Sequence, residues 1–313
     1  MKFQKLLMIN VDDAALDPGY WQQINDLADK VVKLPKDDPS IITELANTDG
    51  LLVNFGITVD KTMIDTATNL KYIGVLATAF GKIDIDYAAS KNIPVCNLAG
   101  YSTESVAEFT IAVILEHIRG LEEGKQRGRD KNYDESGISA RELKNSNFVV
   151  LGLGDIGNRV AELAHGFGAN IFYWSRKSRK DEPSYAYGEI DDLLPKADVV
   201  SINLAQTPET EGIFTAERLG SLKPGAVVVN TAPMELVDID GLANRLAKGD
   251  ITFILDHADE TSESDLAKLS QYNNCIIYPP LAYITKEARK AKQDIFVGNA
   301  KSFLDGHVEN RVN

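Results

Sequence analysis

An apolar run that ends in three closely spaced glycines constrains this chain more than any other feature. Phe148-Val149-Val150-Leu151 leads directly into Gly152-Leu153-Gly154-Asp155-Ile156-Gly157, and a helical pattern follows. Each glycine answers a separate steric demand. The first makes a tight turn, the second lets the backbone approach a pyrophosphate, and the third lets the helix pack closely on the strand. The helix that starts there points free N–H groups and the positive end of its dipole at a bound phosphate. Three spaced glycines alone are a weak signal. Placed after a strand, before a helix and one βα unit from a second strand, they predict a dinucleotide site. Gly152, Gly154, Asp155, Ile156 and Gly157 are its expected cofactor-binding residues.

The end of that second strand bears on which dinucleotide. An NAD site carries an acidic residue roughly 20 residues on, which holds the adenosine ribose hydroxyls. Here the strand runs out as Trp174-Ser175-Arg176-Lys177-Ser178-Arg179-Lys180, with no carboxylate at the turn. A carboxylate would repel a 2′-phosphate, whereas Ser175, Arg176, Lys177 and Arg179 can hold one through charge-assisted hydrogen bonds. The reading favours NADP(H) over NAD(H). Asp181 and Glu182 dilute the positive field, and a solvated basic loop is the plainer alternative.

Around this motif, strand-length apolar runs alternate with helical patterns almost throughout. Leu6–Asn10, Val31–Leu34, Leu51–Asn54, Tyr72–Leu76 and Pro94–Asn97 come first, followed by a long helix from about Thr103 to Gly120. A polar stretch, Arg119–Glu142, reads as an excursion between domains. The second set of strands is Phe148–Leu153, Asn170–Trp174, Val199–Leu204, Ala226–Thr231, Thr252–Asp256 and Cys275–Tyr278, and a helix over Thr285–Leu304 ends the pattern. Runs apolar on both faces with crossovers between them predict parallel sheets covered by helices. The fold class is therefore α/β, with two doubly wound parallel-sheet domains in 313 residues. The net charge of −13 repels a nucleic-acid backbone and an anionic membrane surface, so neither is an expected partner. Cys96 and Cys275, the only cysteines, lie in apolar runs without metal-ligand spacing, and read as buried free thiols of a reducing compartment. Lys2 and Lys5 precede an apolar run of only four residues, too short for a secretion signal, and no apolar run spans a membrane. A cytoplasmic protein without a metal site is expected.

Several further stretches, in order, make the chain resemble the D-2-hydroxyacid dehydrogenase family over nearly its whole length. They are the Gly152–Gly157 turn, the run from Asn97 to Glu108, Thr207-Pro208-Glu209-Thr210, Leu222-Lys223-Pro224-Gly225-Ala226 and Val229-Asn230-Thr231-Ala232. The resemblance implies a flavodoxin-like substrate domain formed by residues 1–99 and 286–313, with a Rossmann NAD(P)-binding domain over 100–285 inserted into it. It implies an active site in the cleft between the domains, closed by a hinge, and a homodimer paired through the Rossmann domains and the long helix. Thr207, Thr210, Thr231 and Asp256 would join the cofactor site, and Ala77, Thr78 and Ala79 would form the substrate loop. The reaction implied is hydride transfer between the nicotinamide and a small 2-hydroxy or 2-oxo acid.

In this family an arginine orients the substrate, a histidine acts as acid and base, and a glutamate orients the histidine and raises its pKa. At the matching positions this chain has Pro233, Pro280 and Thr261, although a one-residue shift would bring Glu260 to the glutamate position. Proline has no proton to give. Tyr283, Tyr278 and His257 are the candidate substitutes, with Lys286 and Glu235 behind them, and each has an ordinary packing or surface role as its alternative. Three readings stay open: an oxidoreductase with a non-standard catalytic set, an inactive NADP(H)-binding sensor or partner-binding pseudoenzyme, and a ligand-free relic, which the intact glycine turn argues against.

Overall fold

The computed structural model describes residues 1–176 and 184–313, and these divide into two compact units. Met1–Ser102 joins Thr285–Asn313 in one, and Thr103–Ile284 forms the other. Lys177 and Arg179 lie outside the described residues.

The first unit contains strands β1 (Phe3–Ile9), β2 (Ala28–Leu34), β3 (Gly50–Val53), β4 (Tyr72–Val75) and β5 (Val95–Cys96). They pair in parallel in the order β2-β1-β3-β4-β5, the flavodoxin-like doubly wound order. The N-terminal apolar run is a strand, as expected. Within it Lys5 is tolerated because its ammonium meets the Glu44 carboxylate at 2.5 Å and the Glu44 carbonyl at 2.6 Å. Leu6 and Met8 pack to one face and Leu7 and Ile9 to the other, so neither face of β1 is polar. The helix Lys286–Leu304 packs Phe296, Val297, Ala300 and Leu304 into the first of these cores. Beyond that helix the chain runs beside β5. The Val312 amide donates to the Val95 carbonyl at 2.9 Å, and Asn313 Oδ1 accepts from the Val95 amide at 2.9 Å.

The second unit contains β6 (Asn147–Leu151), β7 (Asn170–Trp174), β8 (Tyr185–Tyr187), β9 (Val199–Ile202), β10 (Val227–Asn230), β11 (Thr252–Leu255) and β12 (Cys275–Ile277). Their order is β12-β11-β10-β9-β6-β7-β8, every pair parallel. Counted from β6 this is the Rossmann order 3-2-1-4-5-6 with a seventh strand added. The sequence reading has six strands here and misses β8, a three-residue edge strand whose Tyr-Ala-Tyr has no apolar run to announce it. The register is level at the carboxyl edge. Trp174, Leu151, Ile202, Asn230, Leu255 and Ile277 form one row of paired residues across six strands. Ser175, Gly152, Asn203, Thr231, Asp256 and Tyr278, the next residue on each strand, therefore emerge together.

One more element differs from the sequence reading. The polar stretch after Arg119 is part of the second unit and contains a helix, Leu121–Arg129, with no buried residue. Without an apolar stripe it gives no periodic signal. Ion pairs of Glu122 with Lys125 at 2.6 Å and of Glu123 with Arg127 at 2.5 Å hold it instead. Both cysteines are buried free thiols, as expected, and burial pushes Cys96 up to about 11 and Cys275 up to about 12. No helix among the described residues is long and apolar enough to cross a membrane.

Phe253 on β11 is fully buried in the larger core of the second unit. Phe253→Ala is expected to lower the unfolding free energy by about 3–5 kcal/mol, measured by urea denaturation followed by tryptophan fluorescence.

Candidate functional site

At the glycine turn the three positions are sterically distinct. Gly152 sits at φ +93°, where its amide donates to the Trp174 carbonyl at 2.8 Å. A Cβ there would lie 2.6 Å from the Asn203 carbonyl oxygen. A Cβ on Gly157 would lie 1.9 Å from the Gly152 carbonyl oxygen, so only a glycine lets the helix Asp155–Gly166 start this close to β6. Gly154 is the opposite case. A Cβ there would meet nothing within 4 Å, and the space it opens on lies at the N-terminus of that helix. The free amides and dipole face this opening. Asp155 occupies the first turn of the helix with its side chain exposed, and Ile156 packs beside the core. Arg159 fixes the helix to the long helix Thr103–Ile118 through a two-pronged ion pair with Glu104, at 2.7 and 2.8 Å.

The end of β7 lies beside the loop after β9. Ser175 is half-buried, and the exposed Arg176 guanidinium reaches Thr207 Oγ1 at 2.5 Å and Glu209 Oε2 at 2.8 Å. Two sequence-predicted cofactor residues, Arg176 and Thr207, thus stand together. Thr210 supports them from within. Its buried hydroxyl donates to the Ala205 carbonyl at 2.8 Å and accepts from the Thr207 amide at 2.9 Å. Glu209, which the sequence reading treats only as part of a motif, is the carboxylate partner of Arg176.

Across the same edge, Asn203 follows β9. Its amide nitrogen donates to Ser201 Oγ at 2.9 Å, while its buried Oδ1 has no hydrogen-bond partner. Sequence reasoning passes over it because it falls inside the run assigned to a strand. Thr231 is half-buried after β10. The following loop turns inward, with Ala232 donating to Asn230 Oδ1 at 3.1 Å and Met234 buried beneath Asn230, whose side-chain nitrogen lies 3.2 Å from the Met234 sulfur. Pro233 opens this 3-10 turn, and Glu235 on it is exposed.

Asp256, directly after β11, is fully buried. Its Oδ1 accepts from the Leu281 amide at 2.9 Å, and this pins the loop that carries Pro279, Pro280 and Tyr283. Its Oδ2 has no hydrogen-bond partner but lies 3.6 Å from His257 Nε2. Burial raises the Asp256 carboxyl above the ordinary carboxylate range, while the Leu281 amide and His257 pull the other way. His257 has left-handed backbone at φ +67°, and its ring stacks on Tyr283 with centroids 6.0 Å apart and planes 18° apart. Burial, then Asp259, Asp256 and Glu260, raise the Tyr283 phenol. Thr261, at the expected glutamate position, is half-buried with its hydroxyl 3.4 Å from the His257 carbonyl, and Glu260 is exposed.

The other candidates have surroundings of their own. Tyr278 donates to Glu116 on the long helix at 3.1 Å and meets Phe109 edge-on, a packing role. Lys286 is the exposed first residue of the helix Lys286–Leu304, in the first unit. In that unit too, the carbonyls of Ala77 and Thr78 accept from the Leu98 amide at 2.9 Å and the Asn97 side chain at 2.5 Å, and Ala79 is exposed. Among the described residues no group of three or more His, Cys, Asp or Glu could hold a metal ion.

A Rossmann sheet with a steric opening at its phosphate turn defines a dinucleotide-binding protein. The family model for the D-isomer specific 2-hydroxyacid dehydrogenase NAD binding domain matches residues 111–282, more than half of the chain. The chain belongs to the D-isomer specific 2-hydroxyacid dehydrogenase family, and its cofactor is a nicotinamide dinucleotide. A hydroxypyruvate reductase of Blautia hydrogenotrophica is 28% identical, with 98% of this chain and 99% of the relative covered. The D-lactate dehydrogenase of Aquifex aeolicus, solved with NAD and lactic acid, superposes with a TM-score of 0.83 at 28% identity, covering 98% of both chains. An acyclic imino acid reductase solved with NADPH and D-Arg shares the fold with a TM-score of 0.85 at 24% identity, over 99% of this chain and 100% of that one.

Gly154→Asp is expected to leave the apo melting temperature within about 1 °C while removing the rise that NADPH produces. Gly157→Ala, forced against a backbone oxygen, is expected to lower the apo melting temperature by about 4 °C or more. Differential scanning fluorimetry with and without cofactor reads both.

Proposed function

We propose that this chain is an NADP(H)-preferring oxidoreductase. It transfers a hydride between the cofactor and a small carbonyl or hydroxy compound with a catalytic set different from its family's. The observation that carries the cofactor preference is the end of β7, where Ser175 and Arg176 stand with no carboxylate on the strand and Arg176 turns toward Thr207. Glu209 competes for the guanidinium, but an exposed ion pair contributes at most about 1 kcal/mol. A phosphate taking charge-assisted hydrogen bonds from the same group gains roughly 1.5–3 kcal/mol. The phosphate therefore displaces the carboxylate.

Buried acceptors at the same sheet edge support the fit of the whole dinucleotide. Asn203 Oδ1 and Asp256 Oδ2 both lack hydrogen-bond partners, and the opening at Gly154 admits a group no side chain fills. In this reading the Gly152–Gly157 turn holds the pyrophosphate, with Ser175, Arg176 and Thr207 at the adenosine end. Thr231 and Asp256 lie toward the nicotinamide end. The bound cofactor supplies or accepts the hydride. What the chain contributes is position and exclusion of water at the carboxyl edge of the sheet. The activities of the relatives, hydroxypyruvate reductase and D-lactate dehydrogenase, make a small 2-oxo or 2-hydroxy acid the first substrate class to try. A homodimer, which rests on the resemblance, and a cytoplasmic location, which rests on the buried free thiols Cys96 and Cys275, belong to the same reading.

Pro233 and Pro280 favour a second reading, an NADP(H)-binding protein without turnover, because loss of a general acid alone costs ~10²–10⁴ in rate. Isothermal titration is expected to show NADPH binding more tightly than NADH. Arg176→Ala should weaken NADPH about tenfold and leave NADH within about twofold. NADH binding as tightly as NADPH to the wild type sinks the preference. Following NADPH absorbance with glyoxylate, hydroxypyruvate, pyruvate and aldehydes separates the two readings: binding without turnover of any of them leaves only the second.

A further inference from the structure

We propose that His257 is the acid and base of the reaction, with Asp256 and Tyr283 as its positioning residues, which deepens the oxidoreductase reading and rests on it. The family's histidine follows the last strand of the sheet, whereas this one follows β11. Three observations converge on it. Asp256 Oδ2 is fully buried and has no other partner, so the imidazole edge 3.6 Å away is the only cation-forming group it meets among the described residues. The opposite constraint comes from Tyr283, whose ring lies nearly parallel to the imidazole and fixes its plane. The third is the backbone. His257 is held in the left-handed region, where a side chain is disfavoured and glycine is the relaxed choice. That conformation turns the ring at the carboxyl end of β11, the edge where Rossmann sheets bind their ligands.

Asp256 meets Nε2, which leaves Nδ1 as the working nitrogen, and no hydrogen bond among the described residues engages Nδ1. In the reductive direction the hydride pair forms the new C–H bond and the carbonyl π pair moves to oxygen. That oxygen takes the proton from His257, and the imidazolium becomes imidazole and is reprotonated by solvent. One carbonyl, one NADPH and one proton give one alcohol and one NADP⁺. The buried carboxyl on one side and the stacked phenol on the other hold the ring in place at the sheet edge. The groups against the imidazole are Asp256 and Tyr283, and the exposed Asp259 and Glu260 on the turn that follows act on the Tyr283 phenol.

Two kinds of measurement test this. Without turnover, diethyl pyrocarbonate labelling read by mass spectrometry should modify His257 in the apo protein, and saturating NADPH should protect it at least fivefold. His117, His165 and His307 serve as internal controls. Unprotected His257 in protein saturated with NADPH overturns the assignment, whether or not a substrate is found. With a turned-over carbonyl, His257→Asn should lose ~10²–10⁴ in kcat with its KM for NADPH unchanged, since asparagine also accepts left-handed backbone and keeps the turn. Its apo melting temperature should stay within about 2 °C of wild type, which separates lost chemistry from lost folding. Tyr283→Phe should recover most of the rate that Tyr283→Leu loses. A Tyr283→Phe variant as slow as His257→Asn makes the phenol the acid and overturns the proposal. Wild-type protein that binds NADPH but reduces no carbonyl overturns the oxidoreductase reading, and the protection result alone then decides whether His257 stands at the cofactor.

Discussion

The closest backbone approach at the site is between the start of one helix and the turn before it. At Gly157 a single methyl group would collide with the Gly152 carbonyl oxygen at 1.9 Å. Because only a hydrogen is there, the helix Asp155–Gly166 leaves β6 at once and its first amides stay at the sheet edge. Everything else at the site is arranged around that departure. The Gly152 amide ties the turn to the end of β7, the Asn203 carbonyl closes against it from β9, and Arg159 anchors the helix through Glu104. Hydrogen bonds of this kind contribute about 1 kcal/mol each. Their joint effect is geometric, since they keep the opening at Gly154 free of protein.

The level register of the second sheet explains why residues far apart in sequence arrive in one place. A slip of one residue in any strand would send its final side chain to the opposite face. Both faces of these strands are packed, with Val149 and Leu151 in one core and Phe148 and Val150 in the other. Each strand is therefore locked, and the residue after it is delivered to the edge. The loops that carry Pro233 and Pro280 are well ordered by their own contacts at that edge. The loop after β10 satisfies itself through Asn230, Ala232 and Met234, and the loop after β12 through the Asp256 carboxylate and a bond from Ser105 Oγ to the Ala282 carbonyl at 2.6 Å. Pro233 and Pro280 thus sit in loops that satisfy their own hydrogen bonds on an intact frame.

Much of this was legible in the sequence. The strands buried on both faces are unbroken apolar runs, and the spacing of Gly152, Gly154 and Gly157 marks the turn in the sequence itself. Elements without buried surface were not legible. The helix Leu121–Arg129 is held by ion pairs and by Arg127 bonds to the Asp134 and Ser136 carbonyls, and β8 is an edge strand of three residues. Part of the site was also hidden for a physical reason. Nothing in the order of residues reveals that Asp256 has one oxygen satisfied and one orphaned, that His257 adopts left-handed backbone, or that Tyr283 stacks on it, because these are consequences of packing. Pro233 and Pro280 could be read at once as losses, whereas a neighbour such as Asn203 looked like the continuation of a strand.

The discontinuity of the first unit has a consequence for the order in which the chain acquires structure. Its sheet uses β1 to β5, but the helix Lys286–Leu304 that covers one face, and the residues that pair beside β5, come only after Thr103–Ile284 has been made. Until then Phe3, Leu6, Met8 and Tyr72, which share a core with Phe296 and Val297, remain without their cover. The second unit, continuous in sequence, can close its core first. The second unit can thus close before the unit whose first strands precede it on the ribosome, and contacts such as Asn97 with Asn299, 202 residues apart, must wait for the last helix to be made.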